Sequence, residues 1–137
     1  MAKKIRVGLI GYGKAGKAVA NILGTDPRFD LRWIARRSAG AEPQTHPDTD
    51  IPIISIAQQS FDELFDQHPV DAVVDFSTPE AVHAYGEALR ERGIMLVSAI
   101  SAYSESDLDY ARSLGQNTRV MCSPNITLGI NFLIVAA

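Results

Sequence analysis

Three glycines occur at the spacing G-x-G-x-x-G in residues 11–16 (GYGKAG), directly after an apolar run and before a predicted helix. In this context Gly11 permits a tight turn, Gly13 lets a pyrophosphate approach the backbone, and Gly16 lets the helix lie close to the strand. The N-terminus of the helix then offers N–H groups and the positive end of its dipole to the phosphates. These residues therefore predict a dinucleotide-binding turn; the alternative is that the glycines serve packing alone.

The end of the second predicted strand indicates which dinucleotide is bound. A site for NAD usually has Asp or Glu there, to accept hydrogen bonds from the ribose hydroxyls. Here the residues are Arg36, Arg37 and Ser38. Guanidinium groups suit bidentate contacts with a phosphate, and the serine adds a hydroxyl. We therefore predict NADPH as the cofactor, with NADP preferred over NAD. The alternative is a pair of arginines on a solvated loop.

The other residue types that could do chemistry form no recognisable catalytic set. His46, His68 and His83 are isolated from one another, and each is expected at the surface. Cys122 ends an apolar run and is expected to be a small buried residue, since no nearby histidine would lower its pKa. The acidic cluster at 62–66 is expected to be a solvated helix face. The catalytic residues are thus unknown, and no metal site is predicted.

Two further residues, one inside the glycine turn and one late in the fourth apolar run, have open roles. Asp75 lies late in a buried run and is expected to be structural. Tyr12, inside the glycine turn, is expected either against the adenine or pyrophosphate region or towards solvent.

Short apolar runs alternate with helical patterns along the whole chain. The predicted strands cover residues 5–10, 31–35, 51–54, 70–76, 94–97 and 119–122, and the predicted helices begin near residues 14, 60, 78, 104 and 128. Strands that alternate with helices at this spacing form βαβ units with right-handed crossovers. The pattern predicts an α/β fold, a Rossmann-like doubly wound parallel sheet with helices on both faces, over residues 1–137.

Local signals define several of these helices. The first is expected to bury Ala15, Ala18, Val19 and Ile22. Thr78 is expected to be the N-cap of its helix, followed by Pro79 at the first helical position. Ser60 with Glu63, and Ser104 with Asp107, have the spacing typical of capped helix starts.

Composition excludes several classes of protein. The chain has 137 residues, 46% hydrophobic and 21% charged, with a net charge of −3. No basic excess favours nucleic acid as a partner, and no apolar stretch has the length of a membrane span, so neither is expected. The single cysteine excludes an internal disulfide framework and agrees with a cytoplasmic location.

The last residues, 130–137, form an apolar run without a charge or a cap. Either this run packs against a partner or the chain is a fragment cut inside a helix; we expect the fragment, lacking a C-terminal substrate domain. The exposed apolar run would also favour self-association, so a homo-oligomer is expected.

Two segments resemble one family of enzymes. Residues 71–80 (DAVVDFSTPE) are similar to the V-x-I-D-F-[ST]-x-P-E segment of dihydrodipicolinate (4-hydroxy-tetrahydrodipicolinate) reductases of the lysine pathway, and residues 123–131 (SPNITLGIN) resemble their A-x-N-F-S-x-G-V-N segment. The resemblance covers the chain as that family's N-terminal, cofactor-binding domain. It implies hydride transfer to a C=N or similarly activated double bond of a small-molecule substrate.

The resemblance also implies the residues that contact the cofactor. The glycine turn would hold the pyrophosphate, the arginine pair the adenosine side, and the two family-like segments, with the turn after the fifth strand, the nicotinamide side. Together with the glycine turn and the strand end considered above, the predicted contacts are Gly11, Tyr12, Gly13, Lys14, Ala15, Gly16, Arg36, Arg37, Ser38, Phe76, Ser77, Thr78, Ser98, Ala99, Asn125 and Ile126.

The chain departs from the family at that turn. The family has G-T-T-G where this chain has residues 98–101 (SAIS), and Ile100 cannot donate a hydrogen bond to a substrate carboxylate. The family's paired histidines and lysine of the C-terminal domain are absent, so this chain alone is expected to be inactive. Two alternatives stay open: an amino-acid dehydrogenase of the diaminopimelate type, and a stand-alone dinucleotide-binding or sensing module.

Overall fold

The computed structural model describes residues 4–37, 45–57, 59–100, 104–116 and 118–122. Strands and helices alternate through these ranges, as predicted. The elements are β1 (Ile5–Ile10), α1 (Lys14–Thr25), β2 (Phe29–Arg36), β3 (Ile53–Ser55), α2 (Phe61–Gln67), β4 (Ala72–Asp75), α3 (Ala81–Glu91), β5 (Met95–Ser98), α4 (Glu105–Ser113), a 3-10 turn (Leu114–Gln116) and β6 (Val120–Cys122).

The strands form one parallel sheet in the order β3-β2-β1-β4-β5-β6. The chain starts in the middle of the sheet, builds one edge, and then returns to build the other from β4 outward. At such a reversal of direction the crossovers leave β1 and β4 to opposite sides, so a crevice opens at the carboxyl ends of these two strands. The predicted Rossmann-like doubly wound sheet is confirmed, and the crevice lies where the glycine turn begins.

The core consists of two apolar layers, one on each face of the sheet. On one face α1 packs against β1, β2 and β3, and on the other α2, α3 and α4 pack around Trp33 and Tyr85. Strand residues alternate between the layers, because successive side chains of a strand point to opposite faces. The sheet is therefore rigid beneath the crevice, which lets side chains at its carboxyl edge keep fixed positions.

The buried face of α1 differs from the predicted one. The helix buries Gly16, Val19, Ala20 and Leu23, whereas Ala15, Ala18 and Ile22 are exposed. Both sets have helical spacing, so periodicity alone could not choose between them. The choice is made by Gly16, whose Cα lies against the carbonyl oxygen of Gly11, where a Cβ would come within 2.4 Å. Because of that contact, the buried positions of the helix are shifted by one residue from the predicted ones.

The predicted caps hold for two helices and fail for one. Ser60 accepts a hydrogen bond from the Glu63 N–H, and Ser104 accepts one from the Asp107 N–H, each at 3.2 Å. Thr78 is not the N-cap of α3, which begins at Ala81. The residues before Ala81 form a turn instead, in which the Ala81 N–H donates to the Thr78 carbonyl at 3.1 Å.

Part of the prediction lies outside the described residues. This applies to the helix start near residue 128, the apolar run 130–137 and the family-like segment 123–131. Within the part of the chain that the structure describes, no helix combines the length and apolar character that a membrane span requires.

Candidate functional site

The glycine turn brings three pieces of backbone into contact at the crevice. Gly11 has a φ of +109°, which a residue with a side chain rarely adopts. A Cβ on Gly11 would lie 2.8 Å from the Phe76 carbonyl carbon and 2.9 Å from the Ser77 nitrogen. With the contact between Gly16 and the Gly11 carbonyl, the end of β1, the start of α1 and the end of β4 are packed backbone against backbone.

Gly13 differs from these two glycines. Its φ of −79° and ψ of −164° are open to any residue, and no atom lies within 4 Å of where its Cβ would be. Neither the backbone conformation nor the packing of the described residues therefore requires a glycine here. The space beside Gly13 is open at the mouth of the crevice, and a side chain would project into it.

The N-terminus of α1 begins at this open space. Gly13 is its N-cap and has no side chain that could accept a hydrogen bond from the first N–H groups, and the first turn contains no acidic residue. These N–H groups and the positive end of the helix dipole therefore favour an anion beside Gly13.

A cleft of about 790 Å³ lies along this edge of the sheet. Its volume is within the range of small-molecule and cofactor sites. The cleft is lined by Ile10, Gly11, Tyr12, Gly13, Lys17, Ala35, Arg36, Arg37, Ile56, Phe61, Phe76, Ser77, Thr78, Glu80, Ala81 and Ala84. It combines an apolar floor, cations from α1 and the end of β2, and the glycine turn.

Asp75 holds the turn that follows β4. The carboxylate is fully buried and accepts hydrogen bonds from the Ser77 N–H at 2.8 Å, the Ser77 hydroxyl at 2.6 Å and the Tyr85 hydroxyl at 2.6 Å. Burial raises the pKa of Asp75, and the three donors act against that rise by stabilising the ionised form. Because the Ser77 hydroxyl donates to Asp75, its oxygen can only accept a hydrogen bond from a group in the cleft.

Tyr12 and His46 form a second fixed contact at this edge. The Tyr12 hydroxyl lies 2.7 Å from His46 Nδ1, and His46 Nε2 lies 2.7 Å from Asn21 Oδ1. His46 is therefore buried, and the prediction of a surface position is wrong for it. His68 and His83 are exposed, as predicted. Burial raises the pKa of Tyr12.

The remaining residues with possible chemistry have structural partners. His83 lies 2.7 Å from Asp107 and stacks on Tyr110, which joins α3 to α4 away from the cleft. Arg92 binds Asp62 and Asp66 across α2 and α3, and it lowers the pKa of Asp66.

Cys122 is half-buried, and burial raises the pKa of its thiol, which makes it a poor nucleophile. Within the described ranges, no group of three or more His, Cys, Asp or Glu residues could hold a metal ion.

The structure brings half of the predicted contact residues together around the cleft. Gly11, Tyr12, Gly13, Arg36, Arg37, Phe76, Ser77 and Thr78 line it. Lys14 and Ala15 are exposed in the first turn of α1, Gly16 is buried beneath it, Ser98 is buried in β5, and Ala99 follows that strand. Ser38, Asn125 and Ile126 lie outside the described residues.

Sequence reasoning missed several lining residues. Lys17 lies one helical turn after Gly13, and its N–H donates to the Gly13 carbonyl at 2.9 Å. Its spacing from the glycine turn was a usable signal. Ile56 follows β3, and Phe61 and Ala84 lie in α2 and α3. Their approach depends on the sheet order, which no local pattern indicates.

Comparison with known proteins identifies relatives of the chain. Residues 5–126 match the family model described as dihydrodipicolinate reductase, N-terminus. The 4-hydroxy-tetrahydrodipicolinate reductase of Caldanaerobacter subterraneus subsp. tengcongensis is 31% identical over 122 residues, which cover 89% of this chain and 43% of that enzyme. The chain thus spans less than half the length of this relative.

Solved structures share the fold at low identity. Dipicolinate-bound dihydrodipicolinate reductase from Paenisporosarcina sp. TG-14 superimposes with a TM-score of 0.66 at 16% identity, covering 90% of this chain and 48% of that one. RSP in complex with β-NADH superimposes with a TM-score of 0.63 at 12% identity, covering 96% of this chain and 59% of that one. At such identities these two likenesses establish the fold and nothing finer.

The contact between Tyr85 and Asp75 predicts a pH-dependent loss of stability in Tyr85→Phe. Removing the hydroxyl leaves Asp75 Oδ2 buried without this donor, which costs about 1–3 kcal/mol of the free energy of unfolding. A raised pKa means that the folded protein binds the proton more tightly, so stability falls as pH rises from the unfolded pKa through the folded one. Tyr85→Phe raises the folded pKa further, so its loss is expected to be larger at pH 8 than at pH 5.

Urea unfolding at the two pH values measures this effect. Tyr110→Phe is the matched control, because its hydroxyl donates to exposed Glu87 and its removal is expected to change stability little at either pH. An equal loss for Tyr85→Phe at both pH values would contradict the assigned role of Asp75.

Proposed function

Because the chain belongs to the dihydrodipicolinate reductase family, whose N-terminal part it matches, we propose that it is the NADPH-binding domain of a reductase that transfers hydride to a C=N or similarly activated double bond. The match favours this function over the diaminopimelate-type dehydrogenase and the stand-alone sensing module. The short coverage of the curated relative supports a domain arrangement in which further residues bind the substrate. The single cysteine supports a cytoplasmic location.

The observation that carries the proposal is the open space at Gly13. Gly11 and Gly16 are explained by contacts within the chain, whereas the absence of a side chain at Gly13 serves no described contact. A pyrophosphate group fits this place, because the space lies at the uncapped N-terminus of α1. The fit therefore comes from the chain's own geometry as well as from the family.

The other lining residues suit the two halves of a dinucleotide. Arg36 and Arg37 lie at the adenosine end, where an NADP-type 2′-phosphate would need cations. Phe76, Ser77 and Thr78 suit the nicotinamide end, beside the end of β1. Ser98 and Ala99, at the end of β5, do not line the cleft and stay proposed contacts. Ser38, Asn125 and Ile126 remain proposed contacts.

The chain's contribution to catalysis is orientation. A bound nicotinamide cofactor supplies the hydride. Phe76 excludes water from the inner side of the cleft, and Ser77 accepts a hydrogen bond while Asp75 holds its hydroxyl. These groups fix one orientation of a ligand, and fixed orientation is a large part of catalytic power.

We predict that Gly13→Val abolishes dinucleotide binding and leaves the fold intact. The valine side chain would occupy the place of the pyrophosphate, while the φ and ψ of residue 13 are open to valine. Calorimetric titration with NADPH measures binding, and the far-UV circular dichroism spectrum serves as the control for folding. Undiminished affinity would mean that the turn is a packing feature only.

We predict that NADPH binds more tightly than NADH and that the double change of Arg36 and Arg37 to alanine removes the difference. Each charge-assisted hydrogen bond contributes about 1.5–3 kcal/mol, so the double variant should weaken NADPH by one to several orders of magnitude. Titration of both cofactors into both proteins tests this. Equal affinities of the unaltered chain for NADPH and NADH would exclude NADP preference.

We predict that the 137-residue chain binds NADPH but does not reduce dihydrodipicolinate-type substrates. General acid catalysis contributes about 10²–10⁴-fold, and among the described residues no His, Lys or Tyr donor is placed to protonate a substrate at the nicotinamide end. NADPH oxidation is followed for this chain and for the same chain extended to its natural stop codon. Comparable turnover by both would place the chemistry within these residues and refute the two-domain proposal.

A further inference from the structure

The buried carboxylate of Asp75 reaches the cleft through Ser77. Both of its oxygens accept hydrogen bonds, Oδ1 from the N–H and the hydroxyl of Ser77 and Oδ2 from the hydroxyl of Tyr85. Ser77 lines the cleft, whereas Asp75 and Tyr85 lie behind it in the core. A change in the charge of Asp75 is therefore passed to a ligand by the Ser77 hydroxyl.

The charge on Asp75 decides how these hydrogen bonds are arranged. An ionised carboxylate accepts from all three donors, whereas a protonated one has a proton of its own to donate, so one of the two hydroxyl groups has to reverse. The Ser77 hydroxyl is at the cleft, where water or a ligand can accept its proton. The Tyr85 hydroxyl is in the core, where any new acceptor has to belong to the protein. Reversal at Ser77 is therefore the easier of the two.

Three other titratable or charged groups face this end of the sheet from neighbouring elements: Tyr85 from α3, Cys122 from β6 and Arg112 from α4. Burial raises the pKa of the Cys122 thiol, the Arg112 cation acts against this rise, and the charge of Asp75 adds to it. The thiol therefore stays neutral below about pH 8. Asp75 is the carboxyl group of this set, and its charge is the one that acid removes.

We propose that Asp75 is a positioning residue that sets the direction of the Ser77 hydrogen bond in the cleft. When Asp75 is ionised, Ser77 accepts from an amide N–H of the ligand; when Asp75 is protonated, Ser77 donates to a carbonyl oxygen. The inference rests on the proposed function, which brings the nicotinamide carboxamide to this end of the cleft. A carboxamide has both groups, so the state of Asp75 selects which of the two turns towards Ser77.

Two ligands that differ only at the amide test this proposal. NADP⁺ has the carboxamide, and its 3-acetylpyridine analogue has a methyl group in place of the NH₂, so the analogue keeps the carbonyl acceptor and loses the donor. Both ligands carry the same charges, so the ratio of their affinities cancels the titration of their phosphates and of distant groups on the protein. Calorimetric titration of the 137-residue chain from about pH 5 to about pH 8 measures this ratio.

We expect the ratio to favour NADP⁺ at the upper pH and to fall about three- to tenfold as acid protonates Asp75. In Ser77→Ala, which removes the hydroxyl and keeps the N–H donor, the ratio should not change with pH. In Tyr85→Phe it should still fall, with its midpoint raised by about one pH unit, because Asp75 loses a donor. Thr78→Val is the matched control: Thr78 lines the same cleft but is not a donor to Asp75, so the profile should match that of the unaltered chain.

Other results overturn the proposal in distinguishable ways. A ratio that is constant with pH in the unaltered chain, or that falls equally in Ser77→Ala, excludes an action of Asp75 through Ser77. A constant ratio in Tyr85→Phe would mean that the protonated carboxyl group donates to Tyr85 instead. The far-UV circular dichroism spectrum checks that each variant is folded. If the folded, unaltered chain binds neither dinucleotide, the proposed function itself fails.

Discussion

The close approach of Gly16 to the Gly11 carbonyl oxygen is the contact on which the rest of the site depends. It leaves no room for a Cβ, and Gly11 is itself pressed against the backbone between Phe76 and Ser77. The ends of β1 and β4 and the start of α1 are therefore fixed relative to one another without any intervening side chain. Both faces of the sheet are packed below this junction, so a displacement there would disturb the core. Only beside Gly13 does the junction leave open space.

Local patterns predicted most of the fold and the position of the crevice. Strands, helices and the caps at Ser60 and Ser104 depend on residues close in sequence, and these predictions hold. The predicted buried face of α1 was wrong because two sets of residues have the same helical period, and a backbone contact decides between them. Thr78 is not the N-cap because a turn, closed by the Ala81 N–H donating to the Thr78 carbonyl at 3.1 Å, comes between it and the helix.

The candidate site could be predicted only where it is local. The glycine turn and the arginine pair were visible because each lies within a few residues of a strand end. The buried position of His46 could not be predicted, since its partners Tyr12 and Asn21 lie 34 and 25 residues away and its own segment has no distinguishing pattern. Lys17 is near the glycine turn in sequence, but its place in the lining of the cleft depends on the folded positions of α1 and β2.

The cleft divides into two ends that differ in how much the chain itself supplies. At the end of the cleft next to β2, cations and the fixed contact between Tyr12 and His46 are present. Beyond the other end, at the carboxyl end of β5, Ser98 is buried in register with Asp75 and Cys122, and Ala99 and Ile100 have no polar side-chain atom. The Ala99 N–H already donates to the Asp75 carbonyl at 3.0 Å. The two described residues that follow β5 therefore present no side-chain hydrogen-bond donor. In the proposed function, cofactor selection therefore belongs to the cations at the end of β2, whereas Ala99 and Ile100 contribute no side-chain donor for an anionic substrate.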